Sequence, residues 1–230
     1  AKVADFDNKK EVKNLTSEND GKVILYAVWK ANGNIVYTVK HYLENVKGGS
    51  YDEPEVEKFE GTTGVKVTPV TKTYVGFKTP EEQTVSVDGD GSTVVSYYYE
   101  RRKYAVEVDG DAGVSQITGT GNWYYKSEQV IKADVAEGYT FDKWVDADGI
   151  KITDEPSFKY TVENKKVNFS AKTKPIEYKV HFNANGGSGE MSDLDMTYGK
   201  TNKLRINAFT RVGYEFKNWN TKPDGTGTAY

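Results

Sequence analysis

Residues 213–219 read GYEFKNW and residues 138–144 read GYTFDKW, so the chain contains the same glycine-to-tryptophan phrase twice. A second phrase, Tyr-x-Val, opens a new stretch at each of Tyr37, Tyr104 and Tyr178. Recurrence of this kind is typical of tandem arrays, and a spacing of roughly 70 residues is longer than that of most solenoid repeats. The sequence therefore predicts a row of small domains, each with its own thin core.

The composition favours short strands joined by tight turns. The 230 residues include 17 Tyr, 9 Phe, 4 Trp and 22 Gly, and aromatic residues suit strands while glycine suits turns. The formal net charge is −3 and the longest basic run is residues 101–103. This pattern excludes the clustered basic face that nucleic-acid binding needs. No apolar run is long enough to span a bilayer, so we expect no membrane insertion in these residues.

The chain has no cysteine. This absence excludes thiol catalysis, disulfides and thiolate metal ligands together, so the array must be held by core packing and repetition. The composition fits the cytosol, and it equally fits the surface proteins of Gram-positive bacteria, which often lack cysteine.

Four parts follow from the repeats: residues 1–34, 35–103, 104–176 and 177–230. Residues 23–29 (VILYAVW) are apolar at both the odd and the even positions, which predicts a strand covered on both faces. No such strand follows the second glycine-to-tryptophan phrase, so the first part holds the strand that the last part lacks. One short helical turn is predicted at residues 80–83, because proline and carboxylates suit a first turn.

Three parts of the chain carry family resemblances. The last part resembles the internalin-type B repeat through residues 178–187 (YKVHFNANGG), 197–199 (TYG) and 213–221, and the first part resembles the end of that repeat through residues 14–16 and 23–29. Residues 104–172 are similar to its divergent form through residues 123–124, 137–144 and 167–169. The second part resembles the mucin-binding-protein (MucBP) repeat through residues 37–42 (YTVKHY), 61–64 (GTTG), 74–77 (YVGF) and 94–99 (VVSYYY).

These resemblances imply a mostly β fold (α+β, β-grasp-like small modules) in an elongated tandem array. Residues 1–34 would be the C-terminal piece of a B repeat, 35–103 a MucBP-like repeat, 104–176 a divergent B repeat, and 177–230 the N-terminal piece of a B repeat. Such modules occur on bacterial, mostly Gram-positive, surface proteins. The families have no catalytic residues and no cofactor to transfer.

The residues that could carry chemistry favour structural roles. The two histidines, His41 and His181, lie at opposite strand parity in their parts, and a lone strand histidine is more often structural than a zinc ligand or catalytic base. Residues 88–92 (DGDGS) and 146–149 (DADG) lack the ligand spacing of a calcium loop. They are instead typical of hairpin turns. We therefore predict no catalytic residue and no metal site.

The aromatic residues divide into two groups. Trp29, Trp144 and Trp219 occur in recurring phrases and are predicted to lie in cores. In each trio, residues 97–99 (YYY) and 123–125 (WYY), alternation places at least one tyrosine away from the main core. Tyr98 and Tyr124 are the candidate ligand-binding residues, since an outward tyrosine can stack on a sugar or a protein. The other interpretation, which we favour, is that such a ring covers a sheet face or the junction with the next unit.

The sequence thus predicts a non-enzymatic repeat region of a bacterial cell-surface or cell-wall protein, located outside the cell. Its role would be adhesion to a host glycoprotein or polysaccharide, or that of a semi-rigid stalk. The alternative is a set of carbohydrate-binding accessory modules in a secreted glycoside hydrolase. Unpaired sheet edges invite pairing, so we also expect residues 1–30 of one chain to complete residues 178–230 of another, head to tail.

Overall fold

The computed structural model describes residues 13–230, and these residues form strands and turns without any helix. The mostly-β prediction is confirmed. The helical component of an α+β module is not found in the described residues, and the helical turn predicted at residues 80–83 is wrong because that segment is irregular and precedes a short strand. Four residues gain too little from one helical turn to nucleate it without packing. The β-grasp-like description stays a prediction.

Sixteen strands occur in residues 13–230. Their bounds are β1 Ile35–Leu43, β2 Glu55–Gly61, β3 Lys66–Val67, β4 Phe77–Lys78, β5 Val85–Ser86, β6 Val94–Arg101, β7 Lys103–Gly110, β8 Val114–Thr118, β9 Gly121–Tyr124, β10 Glu128–Val135, β11 Tyr139–Asp146, β12 Lys151–Thr153, β13 Ser157–Thr161, β14 Val167–Pro175, β15 Glu177–Val180 and β16 Leu194–Thr197. They form sheets in the orders β2-β1-β6-β4, β13-β10-β8, β12-β11-β14-β7-β9, β15-β16 and β3-β5.

The chain divides into two compact units. The first contains the described residues up to 39 together with residues 57–69 and 83–95, and the second contains residues 40–56, 70–82 and 96–230. The boundaries predicted at residues 34, 103 and 176 stay a prediction.

The first unit has a small aromatic and aliphatic core. Tyr37 stacks on Phe59 with ring centroids 5.7 Å apart, and Val87 is fully buried. A turn forms at residues 88–91, where the Gly91 amide donates to the Asp88 carbonyl at 3.1 Å. The hairpin predicted there is wrong, because the flanking strands β5 and β6 pair with other strands and lie in different sheets. Gly91 adopts a positive φ of 78°, which glycine tolerates without strain.

In the second unit, residues 104–176 fold around a closing strand. The strand β14 lies between β11, with which it pairs antiparallel, and β7, with which it pairs parallel. Its inward residues Phe169 and Ala171 join the buried cluster around Trp144, whose side chain is 0% exposed. The Trp144 indole donates to the Pro156 carbonyl at 3.3 Å. The prediction that Trp144 lies in a core is confirmed.

Residues 177–230 have less regular structure. The hairpin β15–β16 is the one pair of strands there, and isolated bridges join Ser188 to Thr210 and Asn220 to Ala229. Trp219 is half-buried, and the Phe182 ring lies 4.7 Å from it. The prediction of a core position for Trp219 is therefore met only in part, because no closing strand covers the indole in this structure.

The strand predicted at residues 23–29 is wrong for this structure. These residues form no strand, and Trp29, predicted to be a core residue, is 89% exposed. The physical reason is that a strand is stable only when its backbone groups and its apolar faces find partners. None of the strands in residues 13–230 pairs with this segment.

Candidate functional site: two tyrosine joints and an exposed tyrosine cluster

The same glycine turn occurs three times in the second unit. Gly76, Gly138 and Gly213 have φ of 81°, 82° and 78°. In each turn the residue after the glycine donates its amide to the carbonyl three residues earlier, at 3.1 Å (77 to 74), 3.2 Å (139 to 136) and 3.1 Å (214 to 211). A positive φ carries no steric penalty for glycine, so the recurring glycine has a direct conformational reason.

At the first of these turns, a single connector residue links β6 to β7. The Arg102 amide donates to the Gly76 carbonyl at 2.8 Å, and the Arg102 carbonyl accepts from the Tyr125 amide at 2.9 Å. The connector therefore ties the glycine turn before it to the tyrosine after it.

The second turn repeats this arrangement. The Ile176 amide donates to the Gly138 carbonyl at 2.8 Å, and the Ile176 carbonyl accepts from the Tyr198 amide at 2.9 Å. Arg102 and Ile176 differ in chemistry, so the backbone rather than the connector's side chain makes the joint. We call each set of glycine turn, connector and tyrosine a tyrosine joint.

In both joints the tyrosine ring covers the glycine. A Cβ built on Gly76 would overlap the Tyr125 ring, and a Cβ built on Gly138 would overlap the Tyr198 ring. Each ring also meets the aromatic residue after the glycine edge-on, with centroids 6.5 Å apart for Phe77–Tyr125 and 5.8 Å for Tyr139–Tyr198. Edge-to-face aromatic pairs add about 0.5–1.5 kcal/mol beyond the apolar area that they bury.

The predicted site residue Tyr124 directly precedes Tyr125, the tyrosine of the first joint. Its hydroxyl lies 3.1 Å from where a Cβ on Gly48 would stand, and the Lys103 Nζ lies 4.4 Å above its ring centroid. Arg101 adds a further contact, donating from Nη1 to the Tyr125 carbonyl at 3.0 Å. This placement agrees with the interpretation that an outward tyrosine covers a junction. Ligand binding by Tyr124 stays a prediction.

The other predicted site residue, Tyr98, lies in an exposed cluster of three tyrosines. Alternation along β6 buries Tyr97 and Tyr99 completely and leaves Tyr98 49% exposed. The Tyr98 ring stacks on Tyr42 at 4.8 Å with an interplanar angle of 12°, and Tyr51 meets it edge-on at 4.9 Å. In this exposed tyrosine cluster, Tyr42, Tyr51 and Tyr98, the side chains of Tyr51 and Tyr98 are 41% and 49% exposed and that of Tyr42 is half-buried.

Carboxylates lie near this cluster. Burial, and then the negative charges of Glu44 and Glu100, raise the pKa of Tyr51. The Tyr51 hydroxyl therefore stays protonated at neutral pH and can donate a hydrogen bond to a ligand.

His41 has a structural role. The imidazole is buried, and its Nδ1 lies 2.8 Å from the Tyr99 hydroxyl. That hydroxyl also accepts from the Lys72 amide at 2.9 Å. His181 is exposed, with its Nδ1 2.8 Å from Asp193 Oδ1. Within residues 13–230, no group of three or more His, Cys, Asp or Glu is placed to hold a metal ion.

A carboxylate between two partners lies near the His41 network. Glu55 accepts from Lys72 Nζ and from the Tyr74 hydroxyl, both at 2.6 Å. These two hydrogen bonds lower the pKa of Glu55, while burial and the Glu55 carboxylate raise the pKa of Tyr74. Both oxygens of the carboxylate are occupied, so the group is typical of a structural cross-link rather than of a catalytic acid.

Tyr125 and Tyr198 were not identified from the sequence. A spacing signal is present in the sequence, because each follows its opening tyrosine, Tyr104 or Tyr178, by about 20 residues. The phrases around the two tyrosines, WYYKS and MTYGK, share little besides the tyrosine itself, so they do not show that the two positions are equivalent.

Among the described residues, no helix is long and apolar enough to cross a membrane. Over 233 aligned residues, the chain is 27% identical to a protein of Evansella cellulosilytica named "Putative membrane protein". The alignment covers 96% of this chain and 33% of that protein, so the chain spans about a third of the length of this relative.

Two family models match parts of the chain. Residues 178–230 match the Listeria-Bacteroides repeat domain, and residues 104–177 match the divergent InlB B-repeat domain. Repeats of these kinds are typical of bacterial surface proteins. Neither match reaches residues 35–103, so the MucBP-like resemblance stays a prediction. The two matches support the interpretation of residues 104–177 and 178–230 as internalin-type B repeats, the first of them divergent.

Proposed function

We propose that this chain is a non-catalytic stalk region of a bacterial cell-surface protein, exposed outside the cell, in which tyrosine joints hold successive repeats at fixed angles. The observation that carries this proposal is the occurrence of the same joint twice, at Gly76 and at Gly138, with the same two backbone hydrogen bonds. Conservation of geometry across two connectors of different sequence supports a role for the geometry itself.

The physical argument concerns the freedom of the connector. Arg102 and Ile176 are each a single residue between two strands, and both the amide and the carbonyl of each are hydrogen-bonded. These hydrogen bonds restrict the backbone dihedral angles of the connector, whereas a Gly/Ser-rich linker rotates freely about its own. A semi-rigid spacer follows, which would present a distal domain away from the cell wall.

Distances across the second joint test this function. Because the chain has no cysteine, cysteines introduced at the exposed Glu155 and Glu190 can carry spin labels without competing sites. We expect a narrow distance distribution in the parent chain. Tyr198→Ala should broaden it, because the ring that covers Gly138 is lost, whereas Tyr230→Ala, which removes a 71% exposed ring, should not. An equally broad distribution in the parent chain would contradict the stalk function.

The exposed tyrosine cluster favours a second candidate function, adhesion. Tyrosines with exposed faces stack on sugars and on protein partners with little loss of side-chain entropy, so a host glycoprotein or polysaccharide is the expected partner. A carbohydrate-binding accessory module of a secreted glycoside hydrolase would use the same surface.

Binding to a panel of mucins, host-cell glycoproteins and plant and microbial polysaccharides tests adhesion. We expect saturable binding that falls at least tenfold in Tyr98→Ala and is kept in Tyr124→Ala, whose ring lies at a joint. Preference for mucins would favour the adhesin, and preference for a plant polysaccharide would favour the accessory module. Binding that survives Tyr98→Ala would contradict a role for the cluster.

A further inference from the structure

Two carboxylates lie on the sheet face that carries the exposed tyrosine cluster. Glu44 follows Tyr42 by two residues, and Glu100 follows Tyr98 by two residues in β6. Side chains at this spacing point to the same face of a sheet, and the stacked rings of Tyr42 and Tyr98 show that the two strands present this face together. Tyr51 lies opposite Glu44 in an antiparallel bridge, where directly opposite side chains are neighbours. Glu44 and Glu100 therefore border the cluster.

The charges of both carboxylates act on the cluster. Burial comes first among the causes that raise the pKa of Tyr51, and the negative charges of Glu44 and Glu100 come next. A charge that disfavours a phenolate favours a cation at the same place. The electrostatic potential at the cluster therefore suits a positively charged ligand.

The contacts of the two carboxylates leave their charge largely in place. Glu44 accepts from the Gly49 amide at 3.3 Å and from the Arg101 amide at 2.7 Å, and both donors are neutral. Glu100 lies 3.6 Å from the Lys78 Nζ, in a pair whose side chains are 67% and 68% exposed. Exposed ion pairs of this kind are weak, so a cation on a ligand can join or replace Lys78 at Glu100.

The Arg101 guanidinium is engaged at the first joint. Its Nε donates to the Glu44 carbonyl at 2.9 Å and its Nη1 donates to the Tyr125 carbonyl at 3.0 Å. Its Cζ lies 4.6 Å from the centroid of the Phe77 ring. These three contacts hold the charge of Arg101 against backbone and ring atoms of the joint, and not over the tyrosine cluster.

The rings of the cluster supply the second half of a cation site. The face of an aromatic ring is the negative end of its quadrupole, and a cation within about 6 Å of the ring centroid is attracted to it. The chain makes this contact itself at Tyr124, where the Lys103 Nζ lies 4.4 Å from the centroid. Lys40 precedes Tyr42 by two residues on the same face, and neither it nor any other described lysine or arginine makes a cation–π contact with the cluster.

A sugar ring that carries an ammonium group suits this surface better than a lysine side chain does. The rings of Tyr51 and Tyr98 are inclined at 69°, so one compact ligand can contact both. A pyranose is rigid and holds its ammonium close to an apolar C–H face, whereas a lysine loses the rotational freedom of a four-carbon stem when it binds. A rigid ligand avoids that cost.

We propose that the exposed tyrosine cluster, together with Glu44 and Glu100, binds a polysaccharide that carries free amino groups, such as one with glucosamine units. The pyranose stacks on Tyr98, and its ammonium group lies beside the two carboxylates. This inference rests on adhesion, the second candidate function, and names the class of its ligand. It is independent of the stalk function.

Two oligosaccharides that differ in charge test this inference. Calorimetric titration of the full chain at about pH 6, where amines are protonated and glutamates are ionised, compares a glucosamine oligomer with an N-acetylglucosamine oligomer of the same length. We expect the glucosamine oligomer to bind about tenfold more tightly, because it adds a cation–π contact and an exposed ion pair. Added salt should weaken its binding and reduce the difference, because exposed charges are screened.

Two glutamate variants locate the site. Glu100→Gln should weaken binding of the glucosamine oligomer about threefold and leave that of the N-acetylated oligomer unchanged. The matched control is Glu128→Gln, which should change neither. Glu128 is also an exposed strand carboxylate paired with a lysine, Lys159, at 2.8 Å, but it lies in β10, a strand of another sheet.

Tyr98→Ala should remove the binding of both oligomers, because the ring on which the sugar stacks is lost. Tyr98 and Glu100 are exposed in the folded chain, so neither substitution creates a core cavity. The salt series uses the parent chain and requires no variant, so it tests the charge even if a variant folds poorly.

The outcomes separate this inference from adhesion itself. Equal affinity for the two oligomers, lost together in Tyr98→Ala, would overturn the inference and leave adhesion standing, as would a mucin that binds when neither oligomer does. Equal losses in Glu100→Gln and Glu128→Gln would overturn the assignment to this cluster. A lysine oligomer that binds as tightly as the glucosamine oligomer would overturn the assignment to a sugar. Absence of binding here and in the glycan panel would overturn both.

Discussion

The repeat at residues 104–176 and the repeat at residues 177–230 share the antiparallel pairing of their opening strand and their glycine turn, but they differ in how far their tryptophans are buried. Trp144 is fully buried under β14, whereas Trp219 keeps part of its indole exposed. The opening strand has an antiparallel partner in both, with Tyr104 opposite Trp123 and Tyr178 opposite Met196. Burial of Trp144 therefore follows from the pairing of β11 with β14, and not from the recurring aromatic phrase alone.

The same contrast holds for the turn that follows the opening strand. Asp111 binds the closing strand, accepting from the Thr173 amide at 2.8 Å and from its hydroxyl at 2.6 Å. Asn185 takes the corresponding position in the last repeat and donates instead to the Pro223 carbonyl at 2.8 Å. Turns form locally in both repeats, and within the described residues only the turn at Asp111 is tied to a closing strand.

The largest effect is expected from removing the two tryptophans. Trp144→Ala should lower the free energy of unfolding of its repeat by about 3–5 kcal/mol, because a fully buried ring is lost and a cavity remains. Trp219→Ala should cost less than half as much, because its ring is partly solvated. Urea denaturation followed by circular dichroism measures both, and equal losses would contradict the role given to the closing strand.

The glycines of the joints sharpen the comparison. Gly138→Ala and Gly213→Ala share a strain of about 1–2 kcal/mol, because both residues have a positive φ. Only at Gly138 would the new methyl group overlap Tyr198, which should add about 1–3 kcal/mol. Urea denaturation gives the loss in free energy of unfolding for each variant, and the difference between the two losses is the contribution of the joint. Equal losses would show that the Tyr198 ring moves aside without cost.

Acid should weaken the complete repeat through Asp111. Burial raises the pKa of this carboxyl, but the hydrogen bonds from Thr173 and Gly113 and the charge of Lys172 outweigh burial, and the net pKa is lowered. A lowered pKa stabilises the fold above the unfolded value of about 3.9, and this stabilisation is lost as the pH falls through the folded value.

Asp111→Asn should therefore lower the free energy of unfolding by about 1 kcal/mol at pH 7, a value that already includes partial screening of the carboxylate by solvent. It should also flatten the loss of stability as the pH falls below the unfolded value of about 3.9. The matched control is Glu137→Gln, which removes an exposed carboxylate and should leave the pH profile of the repeat unchanged. Denaturation at a series of pH values measures both variants, and an unchanged profile in Asp111→Asn would contradict this role of the carboxylate.

The smallest effect concerns a feature that only the first joint has. Lys103 lies over the Tyr124 ring, whereas the corresponding residues at the second joint are Glu177 and Thr197. Lys103→Met should lower the free energy of unfolding by about 0.5 kcal/mol, as expected for an exposed cation–π contact. Glu177→Met should cost nothing measurable by the same denaturation assay, and a larger loss in Glu177→Met would contradict this assignment.

Much of the local structure could be predicted from the sequence. Alternation in residues 97–99 correctly indicated that one tyrosine faces outward while its neighbours are buried, because side chains in a strand alternate between faces. The turn at residues 88–91 is predictable from its Asp-Gly pairs, but the hairpin that such pairs favour does not form, because β5 and β6 find partners elsewhere. The structural role favoured for His41 agrees with its burial against Tyr99.

The joints and the fate of residues 23–29 could not be predicted in the same way. Tyr125 and Tyr198 lie far along the chain from Gly76 and Gly138, and each short phrase by itself carries no sign of its partner. Residues 23–29 have the composition of a buried strand, but composition does not supply the strands that must lie on either side.

The sequence by itself determined the repeats, the turns and the strand parity of this protein, because these depend on φ preferences and on side-chain alternation within a few residues. The tertiary structure decided which aromatic rings are buried and which glycines carry a tyrosine, because burial depends on surfaces brought together from distant parts of the chain. Trp144 and Trp219 stand in the same phrase, and the presence or absence of one pairing strand separates them.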